Sequence, residues 1–156
     1  MPRPRVPTCV ILKSKKLIMS CVVCIEGDDF DVDAVLPRLA SESPQLRVAV
    51  VRRGEAHRRG REVLVAAASA LNLEISPAFF ANLSSELPLI RQFLQAHAAA
   101  LSWLTHAPDV QRAYVKVVMQ LHDDANFPQE DEALPDDIIR VLAMAGLRFR
   151  VSFASE

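Results

Sequence analysis

Glycine is scarce in this sequence, and its placement excludes the common phosphate-binding loops. The 156 residues contain four glycines, which are Gly27, Gly54, Gly60 and Gly146. No two of them lie close enough for the GxGxxG or GxxxxGK(S/T) pattern, in which closely spaced glycines let backbone amides surround a phosphate. The GxSxG pattern of serine hydrolases is absent as well. The sequence therefore argues against most enzymes.

Cysteine is also scarce, and its pattern favours a cytoplasmic protein without metal or cofactor. The chain has three cysteines, Cys9, Cys21 and Cys24, and it is long enough to bury a core without disulfides. Cys21 and Cys24 have CxxC spacing, but they stand inside the apolar run at 17–25. A strand there would point the two thiols to opposite faces. We interpret them as buried core thiols rather than as a zinc or redox pair.

A long hydrophobic segment is missing too. The apolar run at 17–25 is too short to span a bilayer, and acidic residues follow it without a cleavage site. We therefore predict no membrane partner. Five basic residues fall within residues 1–16, so residues 1–18 are predicted to be a flexible basic extension or to precede a true start at Met19. Residues 19–156 are predicted to form one domain.

Hydrophobic periodicity in that domain predicts alternating strands and helices. Strands are predicted at 17–25, 46–51, 63–75, 112–122 and 147–154, and helices at 32–39, 84–104 and 135–145. Asp31 is placed to cap the first helix, and Gly146 to end the last. The first six elements have the β-α-β-β-α-β order of a ferredoxin-like unit. The sequence thus predicts an α+β fold with this core, an added C-terminal helix and strand, a mainly antiparallel sheet and helices on one face.

Three segments resemble a known family. They are residues 24–31 with the sequence CIEGDDFD, the tripeptide at 53–55 with the sequence RGE, and the closing stretch at 136–153. Together they resemble the bacterial domain-of-unknown-function family numbered 4279, over residues 19–154. Members of this family usually carry a tryptophan on a strand after the central turn. The only tryptophan here, Trp103, falls on the predicted long helix, so the chain would be a divergent member. The resemblance implies an α+β fold and a bacterial source, and it brings no established activity or catalytic residue.

Charge is distributed unevenly although the formal net charge is -1. Ten of the 18 basic residues fall in 1–16 and 52–61, and 12 of the 19 acidic residues fall in 26–33 and 123–137. These clusters are either solvated loops or a surface that recognises a charged partner. The predicted contact residues are Arg52, Arg53, Arg58, Arg59, Arg61, Asp123, Asp124, Glu130, Asp131 and Glu132.

Three functions are compatible with these features. The first is a non-enzymatic bacterial protein-interaction module, such as an immunity protein that neutralises a toxin through charged loops. The alternative is a ferredoxin-like domain that responds to a small ligand or a nucleotide, as a monomer or a homodimer. The third is an enzyme with acid–base groups at His122, Asp123 and Asp124, although no further catalytic motif accompanies them. The sequence favours the first.

A basic stripe is also predicted on the exposed face of the sheet. It consists of Arg112, Lys116, Arg148 and Arg150. Sheets that bind RNA usually stack bases on several aromatic side chains, whereas Tyr114 is the only aromatic residue available here. The sequence pI of about 6.4 is also low for a nucleic-acid-binding protein. The sequence therefore argues against nucleic acid as the partner.

Overall fold

Four helices and eight strands follow one another in the described part of the chain. The computed structural model describes residues 10–11, 21–59, 61–76, 83–120 and 134–154. The helices are α1 (Val32–Glu42), α2 (Leu83–Ala96), α3 (Ala98–Leu104) and α4 (Asp136–Met144). The strands are β1 (Val10–Ile11), β2 (Cys21–Gly27), β3 (Arg47–Val51), β4 (Ala56–Arg59), β5 (Glu62–Val65), β6 (Ser69–Ser76), β7 (Arg112–Gln120) and β8 (Arg148–Ala154). Among the described helices, none has the length and apolar character needed to cross a membrane.

The main sheet has the strand order β1-β3-β6-β2-β7-β8. Its inner pairings, β3 with β6, β6 with β2 and β2 with β7, are antiparallel. The two edge pairings, β1 with β3 and β7 with β8, are parallel. The predicted α+β fold with a mainly antiparallel sheet is confirmed. The order differs from that of a four-stranded ferredoxin-like sheet because parallel strands extend both edges, so the ferredoxin-like arrangement is not confirmed.

The two-residue strand β1 belongs to the N-terminal segment that the sequence sets apart from the domain. Val10 is in register with Arg47, and Ile11 is in register with Val48. The remainder of residues 1–18 lies outside the described residues. The predicted division at residue 18 therefore stays a prediction.

The single strand predicted at 63–75 is wrong, because the chain forms two strands there. β5 pairs with β4 in a separate antiparallel hairpin, whereas β6 enters the main sheet. The Gly54 amide donates to the Ala66 carbonyl, and the Ala66 amide donates to the Glu55 carbonyl, both at 2.9 Å. These bonds close the base of the hairpin. Residues 66–68 are alanines, which favour strands weakly, and the chain leaves one sheet for the other at this point.

The long helix predicted at 84–104 is divided at His97. This residue has φ -113° and ψ 19°, so α2 ends before it and α3 begins after it. Its ring lies 4.6 Å from the Phe93 ring, between centroids, and its Nδ1 lies 3.2 Å from Ser43 Oγ at the end of α1. The predicted buried stripe nevertheless continues through both helices, at Ile90, Leu94, Leu101 and Leu104.

Both predicted helix ends are confirmed. Asp31 Oδ1 accepts a hydrogen bond from the Ala34 amide at 3.2 Å, which caps α1. Gly146 follows α4 with φ +73°, and its amide donates to the Ala143 carbonyl at 3.1 Å. A Cβ at Gly146 would also lie 3.2 Å from Thr105 Oγ1. Glycine thus provides both the left-handed backbone and the close approach of the loops that precede β7 and β8.

The hydrophobic core lies between one face of the main sheet and the helices. Alternate residues of the inner strands are almost fully buried on this face, as expected for side chains of period two; they include Val23, Ile25, Val48, Leu71, Leu73, Val115 and Val117. Each described helix adds buried side chains to the same cluster, among them Leu39, Leu94, Leu101 and Ile138. The other face of the sheet therefore remains available to polar side chains.

Candidate functional site: a basic hairpin and a basic sheet face

Arg52 and Arg53, two of the predicted contact residues, form ion pairs within the chain. The Arg52 guanidinium donates to both carboxylate oxygens of Asp33, at 2.7 and 3.1 Å, and it reaches Glu55 at 3.4 Å. Arg53 lies 3.4 Å from a carboxylate oxygen of Asp29. These contacts tie the turn after β3 to the start of α1. A partner that used either arginine would compete with these carboxylates.

The contact between Arg52 and Asp33 also shifts the pKa values of both groups. The hydrogen bond from Arg52 lowers the pKa of Asp33, and the same bond raises the pKa of Arg52. Both side chains are about half exposed, at 46% and 61%, so water and salt screen the pair and it adds little to folding stability. Its main effect is to fix the orientation of the turn from which the hairpin begins.

Arg58 and Arg61 are exposed on the β4–β5 hairpin. The hairpin register places Arg58 opposite Val63, and Ala56 opposite Val65, so these four residues share one face. Val63 and Val65 are 61% and 63% exposed. We call this surface the valine–arginine face. Among the described strands, β4 and β5 pair only with each other.

The remaining predicted contact residues are only partly placed. Arg59 belongs to β4, but its side chain is outside the described part of the structure. The acidic contact residues lie outside the described residues altogether, and so does His122; they are Asp123, Asp124, Glu130, Asp131 and Glu132. Their contribution to a contact surface or to acid–base chemistry stays a prediction.

Polar side chains occupy the sheet face opposite the helices, and strand register arranges them in rows. One row consists of Asn72, Cys24, Tyr114 and Arg148. The next row consists of Glu74, Val22, Lys116 and Arg150. Since side chains directly opposite one another on neighbouring strands lie close together, the cations of β7 and β8 are brought side by side.

Ion pairing on this face is unequal. Arg47 Nε lies 3.1 Å from Glu74, and Arg112 Nε lies 2.6 Å from Glu26. Within the described residues, the other cations of the face have no carboxylate partner; they are Lys116, Arg148 and Arg150. Among the described side chains, those of β7 and β8 on this face therefore carry an excess of positive charge.

Tyr114 lies between a buried thiol and one of these cations. Burial is the main cause that raises the pKa of Tyr114 to about 12 and that of Cys24 to about 11. Cys24 Sγ donates to Asn72 Oδ1 at 3.0 Å, and Arg150 Cζ lies 5.8 Å from the centroid of the Tyr114 ring. Both the phenol and the thiol are therefore neutral near pH 7, and the ring holds a guanidinium above it.

The predicted burial of Cys21 and Cys24 on opposite faces is confirmed. Cys21 is 0% exposed and belongs to the core beneath the helices, whereas Cys24 is 6% exposed and lies on the polar face. Burial raises the pKa of both thiols, so neither is a thiolate near neutral pH. Among the residues with described positions, no three His, Cys, Asp or Glu side chains converge as metal ligands.

A cavity of about 440 Å³ lies where β7 and β8 begin. Its polar lining includes Arg112, Arg148, Arg150 and Tyr114, and its apolar lining includes Val110 and Phe149. No described lining residue carries a carboxylate. The volume falls within the range of small-molecule sites, roughly 300–1,000 Å³. We call this space the β7–β8 cavity.

The fold and these surfaces define an α+β protein with a mainly antiparallel sheet, a separate basic hairpin and a basic sheet face. No protein-family model, no curated protein and no solved structure matches the chain. The resemblance to the family numbered 4279 therefore stays a prediction. Function has to be argued from the surfaces themselves.

The sequence predicts the basic stripe but not the cavity beside it. The stripe is confirmed, since β7 and β8 are neighbours and Lys116 is in register with Arg150. The cavity also depends on Thr105 and Gly146, which belong to two loops far apart in the sequence. Neither loop carries a motif that would signal a binding site. The sequence does not reveal the apolar exposure on β5 either, because the alternation of its two valines is also that of a core strand.

Proposed function

We propose that this protein is a non-enzymatic interaction module that binds another protein through the valine–arginine face of the hairpin. One observation carries the proposal: Val63 and Val65 are more than half exposed on the face that also bears Arg58. Aliphatic side chains exposed together mark recognition surfaces, and arginine is enriched where proteins meet. Burial of these valines by a partner would contribute free energy that the isolated protein does not gain.

The charge of the hairpin indicates what kind of partner fits. Residues 56–65 contain three arginines and one glutamate, which gives a net charge of +2 with the histidine neutral. A complementary surface carries acidic groups around an apolar centre, because opposite charges accelerate association and exclude wrong partners. A toxin neutralised by an immunity protein would be one partner of this kind.

Two further attributes belong to the proposal. The buried free thiols Cys21 and Cys24 support a cytoplasmic, reducing environment. The antiparallel order β3-β6-β2-β7, in which β6 separates β3 from β2, supports a ferredoxin-like core inside the larger sheet.

A site-specific crosslinking experiment tests the proposal. A photoreactive amino acid replaces Val63 in one variant and Ile139 in another, and crosslinked proteins from the native host are identified by mass spectrometry. Ile139 is a matched control, because it is an aliphatic residue that is 50% exposed on α4. We expect one acidic protein to crosslink from position 63 and not from position 139. Equal labelling from both positions, or none from position 63, would contradict the proposal.

The purified partner then allows the contribution of the valines to be measured. Titration calorimetry compares the wild type with Val63→Ser/Val65→Ser and with Ile139→Ser. We expect the double variant to bind at least about tenfold more weakly, because a buried valine side chain contributes roughly 1.5 kcal/mol or more. Unchanged thermal melting would show that the exposed substitutions leave the fold intact. Equal affinity of the double variant and the wild type would refute the assignment of this face.

A further inference from the structure

Independently of the hairpin, we infer that the β7–β8 cavity binds a small phosphorylated molecule. The cavity lies at the start of β7 and β8 and is lined by residues of these two strands and of the loops that precede them. Its volume of about 440 Å³ exceeds that of a phosphate group, so a larger organic molecule fits. The chemistry of the lining indicates which class of molecule this is.

The charge of the lining calls for a dianion. Arg112 is already paired with Glu26 at 2.6 Å, whereas Arg148 and Arg150 have no carboxylate partner within the described residues. A phosphate monoester carries roughly -1.5 to -2 charges near pH 7, which would neutralise these two guanidiniums. A carboxylate carries only one charge and would leave one of them uncompensated.

The strand register places Arg148 and Arg150 so that they can act together. Arg148 and Arg150 are separated by one residue on β8, so both side chains project to the same face. Their Cα atoms are about 6.6 Å apart, given a rise of ~3.3 Å per residue. Arginine side chains are long enough to converge from this separation, and each guanidinium can donate two parallel hydrogen bonds to phosphate oxygens.

The rest of the lining indicates an organic body attached to the phosphate. Val110 contributes apolar surface to the lining, and the Tyr114 ring stands next to Arg148 on the face that bears the arginines, whereas the Phe149 side chain packs against the core. Apolar and aromatic walls with a few converging polar groups are typical of small-molecule sites. A ligand with a flat or aliphatic body would cover Val110 and the Tyr114 ring while its phosphate meets the guanidiniums.

Backbone amide NMR on the full-length protein tests the inference with three probes, which are phenyl phosphate, inorganic phosphate and benzoate. Ionic strength is kept constant with sodium chloride, so that general screening does not change. We expect phenyl phosphate to shift the amides of residues 110–116 and 146–150, and to bind at least about tenfold more tightly than either of the other probes. Absence of shifts in these residues would overturn the inference. If benzoate bound as tightly as phenyl phosphate, the inference that the ligand is a dianion would be wrong. If inorganic phosphate bound as tightly as phenyl phosphate, the inference that the ligand has an organic body would be wrong.

Substitutions identify the residues that bind. Arg148→Gln/Arg150→Gln should weaken phenyl phosphate binding about a hundredfold, because each charged hydrogen-bonding group lost reduces affinity by roughly tenfold. Arg47→Gln is the matched control, since Arg47 lies on the same face but on β3, far from β7 and β8 in the strand order, and outside the cavity lining. It should bind like the wild type. Equal affinity of the double variant and the control would refute the site.

The hairpin proposal and the cavity inference can fail separately. Arg148→Gln/Arg150→Gln leaves the valine–arginine face unchanged, and Val63→Ser/Val65→Ser leaves the cavity lining unchanged. We expect the first variant to lose phenyl phosphate binding only, and the second to lose protein binding only. Loss of phenyl phosphate binding in the valine variant would show that the assigned cavity is not the binding site.

Discussion

Replacing Gly27 by alanine should destabilise this protein strongly, although Gly27 has no unusual φ angle. Gly27 ends β2 where the segment at 109–111 crosses it, and a Cβ there would lie 2.0 Å from the Asp109 carbonyl oxygen. Real Cβ atoms essentially never approach a neighbour within 3.0 Å. Because the obstacle is backbone, no side-chain rotation can relieve the overlap. The segment would have to move by roughly 1 Å, the difference between these two distances.

The expected loss follows from what that movement disturbs. Forcing an extra carbon into a packed site costs about 1–3 kcal/mol. The Gln111 amide donates to the Glu26 carbonyl at 2.9 Å, and weakening this bond adds ~0.5–1.5 kcal/mol. Alanine restricts the unfolded chain more than glycine does, and this effect stabilises the folded state by about 0.4–1 kcal/mol. The midpoints of these ranges combine to an expected fall of about 2 kcal/mol in the free energy of unfolding.

Urea unfolding followed by far-UV circular dichroism measures this loss, and Gly54→Ala is the matched control. Gly54 has φ +86°, and a Cβ at this position would have no heavy atom within 4 Å. Alanine at position 54 would be destabilising only because it must adopt a left-handed backbone conformation, which costs about 1–2 kcal/mol. The restriction of the unfolded chain by alanine offsets part of this cost, as at Gly27. The reasoning would be refuted if Gly27→Ala unfolded at the same urea concentration as the wild type. It would also be refuted if Gly27→Ala lost less free energy of unfolding than Gly54→Ala.

Two further predictions concern a titrating group and a helix cap. Burial lowers the pKa of His97 from 6.5, so stability should be constant well above pH 6.5 and should decline as the pH falls through that value towards the lowered folded pKa. His97→Gln should reduce this slope in urea unfolding series between about pH 5 and 7, and an unchanged slope would contradict the assignment. Asp31→Ala removes the acceptor of the Ala34 amide and should lower the free energy of unfolding by about 1 kcal/mol. Asp28→Ala changes an exposed residue of the turn before α1 and should have little effect on urea unfolding. Equal losses of free energy in the two variants would contradict the capping role of Asp31.

Local features were predictable because each depends on neighbours in the sequence. The cap at Asp31 requires a side-chain oxygen three residues before the amide that it accepts from. The end of α4 requires a residue that tolerates a positive φ, and Gly146 supplies it. The opposite orientation of Cys21 and Cys24 follows from strand period alone.

The errors arose where distant contacts outweighed local preference. His97 continues the helical pattern of the sequence, but it lies against Ser43, which is 54 residues away. Val63 and Val65 alternate like residues of a core strand, yet β5 pairs with β4 rather than with the main sheet. Hydrophobic alternation is the same for a strand in either sheet, so the sequence could not show whether β5 belongs to the main sheet or to the separate hairpin.

The sequence by itself determined which side chains share a face, because the periods of helix and strand are built into the backbone. It thereby determined that Arg148 and Arg150 project together. Only the tertiary structure decided that Arg148 stands beside Tyr114, and that the loops at Thr105 and Gly146 meet around a cavity. Strand pairing joins residues far apart in the chain, and an alternating strand can accept several partners with the same face buried. The choice among those partners is made by the packing of the whole domain.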